Sequence, residues 1–235
     1  MSTRYFILSK PQSSPIDENI QQQIVSLAPA NVYLLPQVNL DYYVKYGLFE
    51  CQLIEWCKQF CSKDKVFLDI GAHSGTYSIS LADGAKEVYS FEPQRMTYYS
   101  LCGSVALSGK ENVTCLQVGL GSPDQVGRQT LKIVSNDGGG SSLHSTSGIL
   151  REESIEIKTL DSYGLENIGF IKMDVEENEL FVLKGGLETI RRNHFPTILF
   201  ESNFDNKELF DYIRSIGYKD IIQVGGCHNM FLTVS

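Results

Sequence analysis

The sequence has no apolar run approaching the ~20 residues that a membrane-spanning helix requires. Its N-terminal run Tyr5-Phe6-Ile7-Leu8 is too short for a secretory signal as well. An intracellular, cytoplasmic protein without a membrane span is therefore expected. The chain also lacks an excess of base: 20 Lys and Arg stand against 28 Asp and Glu, a net charge of −8. Phosphate backbones require clustered cations, so no nucleic-acid partner is expected. No C-x-x-C pair occurs among the cysteines Cys51, Cys57, Cys61, Cys102, Cys115 and Cys227. Cys57 and Cys61 stand four apart on an expected helix with no second pair downstream, and Cys102 and Cys115 fall in apolar segments. The histidines His73, His144, His194 and His228 show no ligand spacing, so reduced thiols and no metal set are expected. No repeat and no second core is visible. What remains, at 235 residues and 42% hydrophobic content, suits one soluble globular unit with a sizeable core.

The chain is organised around Val66-Phe67-Leu68-Asp69-Ile70-Gly71-Ala72-His73-Ser74-Gly75-Thr76-Tyr77. This reads as an apolar strand, a turn on Gly71 and Gly75, and the start of a helix capped by Ser74 or Thr76. The two glycines would let a ligand approach the main chain. In an open α/β sheet this turn lies where ligands bind. A dinucleotide fingerprint keeps its second glycine bare for a pyrophosphate, but His73 stands there and Thr76 takes the third glycine's place. A phosphate-free cofactor such as S-adenosylmethionine fits D-x-G-x-x-x-G better. A second strand, Glu87-Val88-Tyr89-Ser90-Phe91, leads into Glu92 and Pro93. Glu92 is placed to accept hydrogen bonds from ribose hydroxyls.

Residues 1–64 are expected to form an N-terminal extension packing over the cofactor end of a core of residues 65–235. Within it, Pro11-Gln12-Ser13-Ser14-Pro15 is a loop, 17–27 a polar helix, 32–46 a strand and turn, and 48–60 an amphipathic helix that Glu50 opens, favouring its dipole. Beyond Glu92, 96–107 reads as a helix with Tyr98, Leu101, Cys102 and Val105 on one face, and 113–118 as a strand. This alternation implies a parallel sheet. Residues 129–134 and 154–159 read as an inserted β-hairpin around the glycine-rich loop 135–148, either a lid or a plain connection. Strand 169–175 carries Asp174, and helix 177–192 follows with Leu180, Leu183, Leu187 and Ile190 inward. Thr197–Glu201 is a strand ending in an acid, 206–216 a helix, and the strands 218–224 and 229–234 flank Gly225-Gly226 as a hairpin.

Asp69, Glu92, Asp174 and Glu201 thus collect at the carboxyl ends of parallel strands. Unpaired carboxylates are costly to bury, which favours a solvated cleft or a cationic guest such as a sulfonium. Helix capping, worth about 0.5–2 kcal/mol each, is the alternative, about even for Asp69 and Glu201.

With these residues in view, the chain resembles class I S-adenosylmethionine-dependent methyltransferases, and among them the FkbM family. The matching stretches are Phe67 through Gly75, Ser90-Phe91-Glu92-Pro93, Ser141-Ser142-Leu143, Thr159-Leu160-Asp161-Ser162-Tyr163, Ile171-Lys172-Met173-Asp174-Val175-Glu176, Glu179-Leu180, Leu183-Lys184-Gly185 and Ile198-Leu199-Phe200-Glu201. Two positions depart from the family pattern: His73 replaces an Asn and Glu177 a Gly, the second placing a bulky anion beside the acceptor site. The resemblance implies a Rossmann-like, doubly wound, mostly parallel sheet (the class I methyltransferase fold) with a C-terminal antiparallel hairpin. It implies O-methylation of a hydroxyl on a sugar, glycan or natural-product-like molecule, with Asp174, then Glu176 and His144, as candidate bases. Lys172 is read as orienting a carboxylate or as a plain surface residue. Asp69, Gly71, His73, Gly75, Tyr77, Glu92, Gln94, Val118 and Gly119 would bind the cofactor. An inactive cofactor-binding module and, less favoured, a nicotinamide-dependent oxidoreductase are the alternatives; a ribose-methylating RNA enzyme is disfavoured by the acidic charge.

Overall fold

The computed structural model of the chain describes residues 5–10, 31–203, 205–225 and 229–234. The loop 11–15, the helix expected over 17–27, and Gly226, Cys227 and His228 lie outside these residues. Strands β1 (Tyr5–Lys10) and β2 (Asn31–Pro36) pair antiparallel, followed by helices α1 (Leu40–Tyr46) and α2 (Cys51–Cys57). Next come β3 (Val66–Ile70), α3 (Thr76–Leu81), β4 (Glu87–Phe91), α4 (Arg95–Leu107), β5 (Val113–Leu116) and β6 (Gly119–Leu120). The hairpin β7 (Gly127–Ile133) and β8 (Arg151–Lys158) leads to β9 (Ile168–Met173), α5 (Glu179–Gly185) and α6 (Leu187–Arg192). The chain closes with β10 (Thr197–Glu201), α7 (Lys207–Ile216), β11 (Asp220–Gln223) and β12 (Met230–Val234).

The main sheet has the order β11-β12-β10-β9-β3-β4-β5, parallel except where β12 runs antiparallel to β10 and β11. The chain winds outward from β3 to β5, then returns to place β9 against the other edge of β3. That reversal opens a crevice beyond the carboxyl ends of β3 and β9, where ligands bind in such sheets. Every residue of β3 is buried. Its alternation sends Val66, Leu68 and Ile70 into the core with Leu183, Ile190 and Phe200, and Phe67 into the opposite core with Leu53, Ile54 and Leu81. The inserted and C-terminal hairpins both form as expected. No described helix is long and apolar enough to cross a membrane.

Several local expectations give way. The second half of 32–46 is helix α1, not strand and turn. Glu50 sits at the start of α2 in a left-handed conformation and makes no side-chain cap. Residue Gly75, also left-handed, precedes α3, so neither Ser74 nor Thr76 caps it. Helix 177–192 starts late and divides: Glu176 and Glu177 have φ of 53° and 75°, which no right-handed helix accepts, and Gly186 separates α5 from α6. At Gly185 a Cβ would lie 2.0 Å from the Gly121 carbonyl oxygen, so this helix is seated directly on the main chain beside β6.

Helix α4 buries Thr97, Ser100 and Ser104 along with Leu101 of the expected face, while Val105 packs half-buried against the Tyr33, Leu35 and Tyr43 cluster and Tyr98 and Cys102 are half-buried. The reason is β2. The Leu34 amide donates to Ser104 Oγ at 2.9 Å, and the Val32 amide donates to Ser108 Oγ at 2.8 Å. Ser100 and Ser108 hydroxyls donate in turn to the Leu34 and Val32 carbonyls. Backbone groups of β2 left unpaired by β1 are satisfied by serines, which hydropathy alone reads as solvent-facing.

Candidate active site

Beyond β3 the chain turns through Gly71 (φ +80°), Ala72, His73 (φ +50°), Ser74 and Gly75 (φ +85°). The amides of Gly71 and Ala72 both donate to the Phe91 carbonyl at 3.0 Å, pinning the turn to the end of β4. A Cβ on Gly71 would lie 1.8 Å from the Asp174 carbonyl oxygen, and one on Gly75 would lie 2.7 Å from Leu101 Cδ1. At both glycines the space a side chain would need is already filled by the protein itself.

A cavity of ≈ 310 Å³ lies over the ends of β3, β4 and β9. Gly71, His73, Tyr77, Glu92, Gln94, Val118 and Gly119 line it, as do Asp174 and Glu176. Asp69, Gly75 and His144 lie outside this lining. Asp69 is 1% exposed beneath the turn; Ser78 donates to its Oδ2 while Oδ1 has no hydrogen-bond partner. Burial raises its pKa, against the pull of Lys172, its register partner on β9. Gly75 faces Leu101 and Ile79. The His144 imidazole bonds Oδ1 of Asn178, which itself lines the cavity, at 3.1 Å and stacks on Phe181; its neighbour Leu143 also lines the cavity. Glu177 is exposed and outside the lining, so its bulk does not fill the cavity.

On the β4 side Glu92 is held by main chain alone. Its Oε2 accepts from the His73 amide at 2.9 Å and its Oε1 from the Gln94 amide at 2.8 Å. A carboxylate has about four acceptor positions, so two remain for ligand hydroxyls. Burial lifts its pKa to about 7, with the two amides opposing. Burial also lowers the pKa of His73, keeping the imidazole neutral; its Nε2 lies 2.8 Å from the Asp137 carbonyl oxygen, and Ser74 Oγ lies 3.1 Å from its Nδ1.

On the β9 side the groups satisfy one another. Lys172 is buried, not a surface residue, and its Nζ donates to Asp174 Oδ2 at 3.1 Å and to the Gly71 carbonyl at 3.3 Å. Burial disfavours its charge, but Asp174, Asp69 and Glu50 more than offset this and hold its pKa above the ordinary lysine value. Burial likewise opposes ionisation of Asp174, yet Lys172 and a hydrogen bond from Glu201 keep its pKa below the usual carboxylate value. Burial, the hydrogen bond with Asp174 and the Asp174 charge push Glu201 up to about 9. Asp174, Glu176 and Glu201 each offer an oxygen within 4.8 Å of the others, an oxygen set that suits a hard divalent cation. Their positions along the sequence do not reveal that grouping, because Glu201 arrives from the neighbouring strand.

Loop 135–148 closes over this region. Its Gly140 amide donates to Glu176 Oε1 at 2.8 Å, and Ser142 Oγ donates to the Glu176 carbonyl at 2.7 Å. Asn39, just before α1, donates to Asp137 Oδ2 at 2.7 Å, joining loop and N-terminal segment. Asp137, Gly138, Ser141 and Leu143 of the loop line the cavity with Asn39, Tyr43, Phe49 and Glu50. Sequence reasoning missed Asn39, Glu50 and Asp137 as lining residues; the only local signal was Leu143 within an otherwise polar loop.

The family profile described as "Methyltransferase FkbM domain" matches residues 69–219. Among solved structures, the methyltransferase FkbM from Methylobacillus flagellatus KT is 19% identical with a TM-score of 0.53, over 74% of this chain and 44% of that one. The chain therefore spans less than half the length of that protein. The precorrin-6y C5,15-methyltransferase from Geobacter metallireducens GS-15 is 13% identical with a TM-score of 0.50, over 77% and 86%. At such identities the likeness concerns the fold. No curated protein matches the chain.

Proposed function

The chain belongs to the FkbM methyltransferase family, and on that premise we propose that it is an S-adenosylmethionine-dependent O-methyltransferase acting on a hydroxyl of a sugar, glycan or natural-product-like small molecule. The observation that carries this reading is the pairing, across one cavity, of a carboxylate fixed by two amides, Glu92, with an ionised one, Asp174. The cavity fits a phosphate-free cationic nucleoside: acids dominate its charged lining, Lys172 is the single lysine or arginine there among the described residues, and the imidazole of His73 occupies the glycine turn. A pyrophosphate would find no matching cations.

In this reading Glu92 accepts the ribose hydroxyls, and Gln94, Val118 and Gly119 border the adenine. S-adenosylmethionine supplies, when bound, a methyl group made electrophilic by its sulfonium. Asp174 takes the proton of the acceptor hydroxyl as general base, its ionised form kept ready by Lys172. Holding the acceptor in line removes an entropic cost that can reach ~7–11 kcal/mol. Glu176, bonded to the Gly140 amide, ties the loop to this end of the cavity. Within an N-terminal extension to a 65–235 core, Asn39, Tyr43, Phe49 and Glu50 complete the cofactor end.

Titration calorimetry with S-adenosylmethionine, S-adenosylhomocysteine and NAD tests the cofactor; binding of NAD alone would overturn it. A screen of sugar acceptors then tests the reaction. Binding of the sulfonium without turnover of any hydroxyl acceptor would favour a module that binds cofactor without catalysis.

A further inference from the structure

The one cationic side chain lining the cavity lies at a particular end of it. Strand order places β4, with Glu92, on one side of β3 and β9, with Lys172, on the other. A nucleoside whose ribose meets Glu92 and whose adenine borders Val118 and Gly119 therefore sends its remaining chain across β3 toward β9. There Lys172 Nζ makes two hydrogen bonds, to Asp174 and Gly71, and an ammonium has three N–H groups to give. The same nitrogen lies 5.1 Å from the centroid of the Tyr77 ring. The Tyr77 hydroxyl donates to Glu50 Oε2 at 2.7 Å. Glu50 itself adopts φ +55°, a conformation that is sparsely populated for such a residue and persists only where its surroundings hold it. It makes no cap for α2, and its side chain lies at the cavity.

We propose that Lys172 and Glu50 clamp the zwitterionic amino-acid end of the cofactor, Lys172 taking its α-carboxylate and Glu50 its α-ammonium. This rests on the methyl-donor reading above. The opposite charges of the two side chains match the two charges of that end, and among the described residues no other lysine or arginine lines the cavity to receive a carboxylate. Glu50 lies outside the matched residues 69–219, so the N-terminal segment supplies part of the cofactor site.

The test uses calorimetry of the full chain with S-adenosylhomocysteine, its carboxylate-free and its amine-free analogues, and 5′-methylthioadenosine, which lacks the whole amino-acid end. Removing the carboxylate is expected to weaken binding to the unaltered protein about 10–100-fold, the range of a charge-assisted hydrogen bond. In Lys172→Met that difference should vanish while affinity for 5′-methylthioadenosine is kept. In Glu50→Gln the penalty for losing the amine should vanish and the carboxylate penalty remain. Equal affinity of the unaltered protein for S-adenosylhomocysteine and its carboxylate-free analogue would overturn the clamp, and that comparison requires no variant to fold. If 5′-methylthioadenosine binds without such discrimination, only the clamp falls; if no adenosyl compound binds, the methyl-donor reading falls with it.

Discussion

The two walls of the cavity hold their carboxylates by different means. Glu92, at the end of β4, takes both of its hydrogen bonds from main-chain amides. Asp174, at the end of β9, takes its hydrogen bonds from ionisable side chains, Lys172 and Glu201. Amides cannot exchange roles as pH or ligand changes, so the first wall fixes a position. The second wall is a set of groups whose protons depend on one another. One wall suits recognition and the other suits chemistry.

The sharpest break in that contrast is Asp174→Asn, which should lower turnover of an accepted sugar by about 10²–10⁴-fold. Cofactor affinity, read by calorimetry, should change little. Gly71→Ala strikes where the walls touch: its Cβ would meet the Asp174 carbonyl oxygen at 1.8 Å. We expect a loss of at least about 2 kcal/mol in urea unfolding, since a backbone clash and a positive φ coincide. Glu92→Ala should weaken S-adenosylhomocysteine binding about 10–100-fold; unchanged affinity would remove the ribose assignment.

The walls also separate by pH. Glu92 and Glu201 have folded pKa values raised from 4.5 to about 7 and about 9, so the folded chain holds protons that the unfolded chain releases. Their contribution is fully present below pH 4.5 and is lost as pH rises, through about 7 for Glu92 and about 9 for Glu201. Thermal melts of the cofactor-free chain should fall across that range. Glu92→Gln should flatten the lower part and Glu201→Gln the upper part. The smallest effect is expected from Asn39→Ala, which removes the bond to Asp137 and should cost about 0.5–1.5 kcal/mol in the same unfolding assay.

The β4 wall was legible because its parts are contiguous: residues 66–94 carry strand, turn, helix, strand and acid in one pass, and β3 and β4 have the bounds their apolar runs imply. On the β9 wall Asp174, Glu176 and the placing of Glu201 on the same sheet edge were legible, but not the contacts among them. Lys172 reads equally as orienting a carboxylate or as a surface lysine until Asp69, Asp174 and Glu50 are seen to surround it. Glu201 joins Asp174 because β10 lies next to β9, a pairing that no local spacing reveals. Asp69 misled for the opposite reason: its place near a strand end suggests the rim, but its side chain points beneath the turn toward Ser78. Helix α4 misled because hydropathy scores serine as solvent-facing, whereas Ser100, Ser104 and Ser108 stand in for a missing strand.

That substitution has a geometric basis and a protective effect. Four residues of α-helix rise about 6 Å and two residues of strand about 6.6 Å, so Ser104 and Ser108 keep step with Leu34 and Val32, while Ser100 adds a second bond at Leu34. The hydroxyls occupy the very backbone groups by which a strand edge recruits a foreign chain. A ribbon that would otherwise present a sticky border is thereby sealed from aggregation on that side, by side chains too small to disturb the helix that carries them.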